Sequence, residues 1–202
     1  MSGQSSHRKK VKHYHEPGDF HELTFSCYRR MALLANDRWR GHLARSIDDA
    51  LAAHEFHLIA FVFMPEHVHL LVWPTRADAA AESISSFLAA VKVRCSHQIK
   101  EDLHGSRGPL LERLTIRERP GREVFRFWQE GPGYDRNLQT EAAVMASIEY
   151  IHMNPVRRRL VDHITKWRWS SARWYHSDGA EVDAVLPRLH SPPPELFSPF
   201  SK

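Results

Sequence analysis

The chain has 202 residues, 42% of them hydrophobic, and a formal net charge of +4. That length suits one domain with room for a small appendage. No apolar run approaches a membrane span, and no apolar segment follows the basic N-terminus. The sequence therefore reads as a cytoplasmic protein rather than a membrane or secreted one. Cys27 and Cys95 fit no metal-ligand spacing and are expected to be free thiols.

Residues 1–17 are polar and basic, a loose arm in which Arg8, Lys9, Lys10 and Lys12 precede the first acidic residue. Residues 20–28 alternate loosely as a first strand. From Asp37, a plausible cap, to His54 the apolar residues Trp39, Leu43, Ile47 and Leu51 form one helical stripe. Residues 56–63 are a second strand, which turns at Pro65-Glu66 into a third strand beginning at His67. A second helix is predicted over 79–102, with Ile84, Phe87, Leu88, Val91, Cys95 and Ile99 inward. Glycines and prolines between 104 and 123 predict a loop of low order. VFRFWQ, 124–129, then supplies a fourth strand. The order β-α-β-β-α-β is the split βαβ pattern of ferredoxin-like and RRM-like α+β folds, an antiparallel sheet with two helices on one face. A further helix, about Leu138 to Met153, is ended by Pro155. The domain is expected to cover 18–176, and 177–202 to form a proline-rich C-terminal tail.

His67 and His69 are one residue apart in a strand, so they share a face with Leu71 and Trp73, while Val68, Leu70 and Val72 take the other. Two imidazoles on one rigid face can grip a divalent cation. The chain holds 15 histidines, and chance alone gives about one His-x-His in such a composition. A second such pair, His13 and His15, lies in the basic arm and reads as solvated. The apolar setting of His67 and His69 is what distinguishes them, because a buried polar pair needs a partner. On the last helix Ser147, Tyr150 and Asn154 fall at steps of three and four. By periodicity alone Tyr150 reads as a core residue with its hydroxyl at the rim.

Basic residues recur from 157 to 175, where Arg157, Arg158, Arg159, Lys166, Arg168 and Arg173 face only Asp162. With the N-terminal arm they make two patches suited to a polyanion, although a solvated face would look the same. Trp167, Trp169, Trp174 and Tyr175 among these arginines either stack on unpaired bases or close a small aromatic core.

Three blocks together, MPEHVHLLVWP, FWQEG, and YIHMNPVRRRLV with WRWSSARWY downstream, resemble the single-tyrosine HUH transposases, insertion-sequence-200-like, in their REP-associated branch. The resemblance runs from about residue 13 to 175. It implies an enzyme that nicks and rejoins single-stranded or hairpin DNA, including repeat palindromes, through a 5′-phosphotyrosine and without ATP. Carried over by position, His67 and His69 are the metal-binding pair, Tyr150 is the nucleophile, and Asn154 completes the site. Tyr134 is a second candidate nucleophile.

A phenol titrates near 10 and attacks poorly until activated, and a cation on a phosphate oxygen draws off charge. Two imidazoles and an amide oxygen suit magnesium or manganese, and zinc also fits. Expected DNA contacts are Arg8, Lys9, Lys10, Lys12, Arg126, Arg136, Arg157, Arg158, Arg159, Trp167, Arg168 and Trp169. Transposition needs two cleavages, which a homodimer would supply.

Glu66 is expected chiefly as an exposed turn residue, with support of an imidazole as the other reading. His152 is expected to be structural or DNA-facing. The chain departs from the family pattern in WQEGPGYDRN, in NPVRRRLV and in its long 104–123 segment. A catalytically silent DNA-binding protein is the competing class. An unrelated His-x-His metallohydrolase is set aside, because Leu70 to Trp73 offer no third ligand.

Overall fold

The structure is a computed structural model that describes residues 19–75, 81–106, 108–131 and 133–193. The basic arm with Arg8, Lys9, Lys10 and Lys12 lies outside the described residues. The sheet contains β1 (Phe20–Ser26), β2 (Phe56–Phe63), β3 (His67–Pro74) and β6 (Tyr134–Leu138), in the order β2-β3-β1-β6 and antiparallel throughout. With α1 (Asp37–His54) and α2 (Ala81–Ser106) this is the ferredoxin-like arrangement.

Strand alternation sorts the core into two layers. Leu23, Phe25, Phe61, Phe63, Val68, Leu70 and Val72 pack against α1 and α2 residues such as Leu43, Ile47, Phe87 and Val91. Phe20, Ile59, Ala60, Val62 and Leu71 face the other way, onto Val144, Ile148 and Ile151 of α4 (Glu141–Arg157). A bulge in β2 between Leu58 and Ala60 lets Phe61 and Phe63 point to the first layer. The Ile59 carbonyl at this irregularity accepts from the Tyr175 hydroxyl at 2.9 Å.

Several sequence expectations are corrected. The cap of α1 is Asn36, whose side chain accepts from the amides of Arg38 and Trp39. Asp37 lies inside the helix and accepts from Arg40 and from the Trp169 indole. The described residues of the segment 104–123 take regular structure instead of a loop. They hold the end of α2, a short α3 (Leu110–Leu114) and most of a two-stranded ribbon, β4 (Thr115–Arg119) with β5 (Arg122–Phe125). The prolines and glycines there mark the breaks between elements: Pro109 precedes α3, and Gly121, at φ +77°, makes the ribbon's turn.

The fourth strand of the main sheet is β6 rather than VFRFWQ, whose first two residues belong to β5 and which gives the main sheet an isolated bridge, Trp128 to Cys27. Gly133 permits this. A Cβ there would lie 2.3 Å from the Thr24 carbonyl oxygen, so only glycine lets the chain enter beside β1. Helix α4 also runs through Pro155 to Arg157 instead of stopping at the proline. Pro155 is buried, and packing outweighs the one lost backbone bond.

The chain beyond 176 does not leave the body at once. Leu186 and Leu189 pack on the first layer, and the His190 amide donates to the Leu58 carbonyl at 2.9 Å. With Phe63 N–H donating to Trp169 O and Ser171 N–H to Phe61 O, this segment occupies the outer edge of β2. Both cysteines are free and buried.

His152 is structural. It lies 2.8 Å from the Ser171 hydroxyl and against the Tyr175 ring, and burial pushes its imidazole down to about 4. The unfolded chain takes up this proton below pH 6.5, whereas the folded chain resists until near 4. Stability is therefore full above 6.5 and falls as pH drops through that window, by up to about 1.4 kcal/mol per pH unit. Urea denaturation of His152→Gln should show a smaller loss of stability on acidification through the window than the parent. An equal loss would refute the assignment.

Candidate active site

The sheet face opposite α1 and α2 is only partly covered. Helix α4 crosses β2 and β3, leaving a cleft of about 690 Å³ lined by Glu22, Thr24, Arg30, His67, His69, Tyr134, Arg136, Ala146, Tyr150, Asn154, Arg157 and Arg158. Strand register builds its floor in rows. His69, Thr24 and Tyr134 are successive cross-strand partners on β3, β1 and β6, and Leu71, Glu22 and Arg136 form the next row on the same face.

His67 and His69 converge. Their Nε2 atoms are 3.0 Å apart and both rings are buried. The Thr24 hydroxyl lies 2.8 Å from His69 Nδ1. A Glu66 oxygen is 3.2 Å from His67 Nδ1, close enough for charge attraction but angled away from a hydrogen bond. Both partners favour a proton on Nδ1 and leave each Nε2 lone pair facing inward. Burial pushes His69 down to about 3, with repulsion from His67 adding to it. Burial also lowers His67, opposed by Glu66. Both rings are thus neutral near pH 7, as metal ligation requires.

Helix α4 brings the other half. The Tyr150 ring meets His69 edge-on, with centroids 5.5 Å apart, and is 40% exposed to the cleft. Asn154, one turn on, is buried with Nδ2 3.4 Å from His69 Nε2. A half-turn of the amide would present Oδ1 instead. Two nitrogens each about 2.1 Å from one ion, at roughly a right angle, lie about 3 Å apart, which matches the imidazole pair. Among the described residues no three of His, Cys, Asp and Glu gather at one point; the groups that could hold a cation here are the two imidazoles and the Asn154 amide.

Other expected site residues divide. Arg136 lines the cleft and donates to Glu22 at 2.7 Å. Arg157 lies over the Tyr150 ring, its guanidinium carbon 5.3 Å from the centroid. Arg158 donates to Glu66 at 2.5 Å. Arg159 is exposed, with φ +56° just past α4.

Arg126 and Arg168 are engaged within the protein, Arg126 with Glu118 and Glu130 and Arg168 with Asp183. Trp169 is buried, and Trp167 is half-buried with its indole donating to the Phe63 carbonyl. Both hold the Arg40 guanidinium against their rings. They are an aromatic core and not a free stacking surface, because the strand edge of β2 draws this segment inward.

Glu66 is also corrected. It is buried and links Arg158 to His67, so it is no exposed turn residue. Thr24, Glu22 and Arg30 were not singled out. The available signal was polar residues at alternate positions of the first strand, Glu22 and Thr24, on the same face as the histidines. Arg30 carried none, since its left-handed φ of +53° is invisible in sequence.

Residues 19–111 match the family model described as Transposase IS200 like. A Haemophilus influenzae protein named as a REP-associated tyrosine transposase is 24% identical over 153 residues, spanning 72% of this chain and 78% of its own. A solved structure of a REP-associated tyrosine transposase bound to a REP hairpin superposes with a TM-score of 0.65 at 18% identity. That alignment takes in 91% of this chain and all of the other, and it supports the fold. The matched stretch begins at the first strand and carries the paired histidines, so this part of the chain is similar to the IS200-like transposases.

Proposed function

We propose that this chain is a metal-dependent DNA nicking and strand-transfer enzyme, of the REP-associated tyrosine type, acting on single-stranded or hairpin DNA. The observation that carries this is the meeting of a cleft-exposed phenol, Tyr150, with the inward-facing nitrogens of His67 and His69. The Tyr150 oxygen attacks the scissile phosphorus, the bond to the 3′ oxygen breaks, and that oxygen leaves as a 3′ hydroxyl after taking a proton. The product is a 5′-phosphotyrosine ester. It keeps the energy of the broken bond, so a second 3′ hydroxyl can reverse the step without ATP.

His67, His69 and the Asn154 amide oxygen would hold a magnesium or manganese ion, which withdraws charge from a non-bridging phosphate oxygen and orients the phosphorus. Thr24 holds the His69 imidazole from behind, and the Glu66 carboxylate lies close to His67 Nδ1. Arg30, Arg136, Arg157 and Arg158 line a cleft whose lining carboxylate, Glu22, answers Arg136, while Glu66 beside it answers Arg158, which suits the approach of a phosphodiester.

The deciding experiment incubates the protein with end-labelled hairpin DNA bearing an unpaired flank, with Mn²⁺ or with a chelator, and resolves products on denaturing gels. A metal-dependent covalent protein–DNA band is expected. Tight binding with no such band would instead support a catalytically silent DNA-binding protein.

A further inference from the structure

We infer that the β4–β5 ribbon is a second DNA-binding element that grips the paired stem of a hairpin, while the histidine–tyrosine cleft receives the unpaired strand. The inference rests on the DNA-hairpin reading above and adds a separate site to it.

The ribbon's tip is electrostatically unfavourable by itself. Arg119 and Arg122 are direct cross-strand partners, and like charges facing each other destabilise a strand pair. Glu118 answers Arg122 and Arg126. Among the described residues Arg117 and Arg119 form no ion pair, although Glu123 stands opposite Arg117. Residues 117–123 are all exposed. A tip with unanswered cations is relieved by an external polyanion.

The base of the ribbon is fixed. Leu110, Leu111 and Phe125 pack on the core, and the Arg126 amide donates to the Leu114 carbonyl at 2.7 Å. The following residues tie it to the cleft. Phe127 O accepts from Tyr28 N–H, and Gln129 N–H donates to Ser26 O, both at 2.8 Å. Ser26 is the cross-strand partner of His67. A rigid arm with a cationic tip therefore projects from the end of β1 that abuts the candidate metal ligands.

Shape favours one polyanion over another. The major groove of B-form DNA admits a two-stranded ribbon, whereas the deep, narrow major groove of A-form RNA excludes side chains. The occupant is thus a DNA duplex.

The test is fluorescence anisotropy across a salt series, in chelator so that cleavage does not enter. The probes are a DNA duplex of stem sequence, one of its strands unpaired, and the corresponding RNA duplex. Arg117→Gln/Arg119→Gln should weaken DNA-duplex binding about tenfold and lower the salt slope by about 2, as expected for two lost phosphate contacts. Affinity for the unpaired strand should change less than about twofold. Arg117→Lys/Arg119→Lys keeps the charge and should keep the slope. Without DNA, the glutamine variant should melt no lower than the parent, because Arg119→Gln relieves a like-charge pair.

Unchanged duplex affinity, an equal loss on the unpaired strand, or the same dependence with RNA would each overturn the inference. Because binding is read without cleavage, absence of a covalent adduct would sink the proposed function and leave this result standing.

Discussion

Tyr150→Phe should bind hairpin DNA as the parent does and form no covalent adduct, a loss of at least about a thousandfold in single-turnover assays. The substitution removes one oxygen and keeps the ring that meets His69 edge-on and lies beneath Arg157. The residue is 40% exposed, so stability should shift by less than about 0.5 kcal/mol. A thermal melt alongside the gel separates lost chemistry from lost fold. Tyr134→Phe is the necessary control, because Tyr134 is 54% exposed and lines the same cleft. If it alone abolished the adduct, the nucleophile would be Tyr134.

His69→Ala should have the next largest effect. This ring sits at the centre of the cluster, near His67 through one nitrogen and Thr24 through the other, with Asn154 and Tyr150 beside it. Titration calorimetry with Mn²⁺ should show affinity falling by more than about a hundredfold, beyond the 10- to 100-fold typical of losing an outer partner. The adduct should vanish with it. Truncation also leaves the Thr24 hydroxyl without its imidazole, at a cost of about 1–3 kcal/mol in stability. His69→Gln, which retains a polar group, should recover part of that stability without recovering the metal. Unaltered Mn²⁺ affinity in either variant would mean that the ion binds elsewhere or not at all.

The parts of the fold legible in the sequence were those set by periodicity. The two-residue repeat of β3 put His67 and His69 on one face with Leu71 and Trp73, and the helical step on α4 aligned Ser147, Tyr150 and Asn154. Both alignments appear in the structure, where Ser147 bonds Glu22 and the other two reach His69. What escaped was set by tertiary contact. Pro155 looked like a stop, but its burial carries the helix onward, so Asn154 stays in register with Tyr150.

The ribbon escaped because its proline and glycine signals mark a turn as well as they mark a loop. VFRFWQ has strand composition, yet its side chains are used to anchor the ribbon, and the strand beside β1 is the more polar YDRNL. Glycine at 133 decided that outcome through one close approach to Thr24, which no pattern along the chain encodes. The tryptophans near 167 carried equal claims as stacking platform and as core. The free edge of β2 settled them as core, leaving the cleft's open side to Tyr134 and to the arginines.

That same edge has a consequence for how the protein is made. FHLIAFVF is the most apolar strand in the sheet and lies at one of its two edges, where its outward backbone groups are met by residues 169–190. During synthesis those residues emerge about a hundred residues after the strand they cover. Until they do, the nascent chain displays a long, uncharged, β-branched and aromatic ridge with unpaired amides, the kind of surface that templates fibres and inclusion bodies. Residues 169–190 are in this sense a built-in guard for that edge, since their backbone groups occupy the positions another strand would otherwise take.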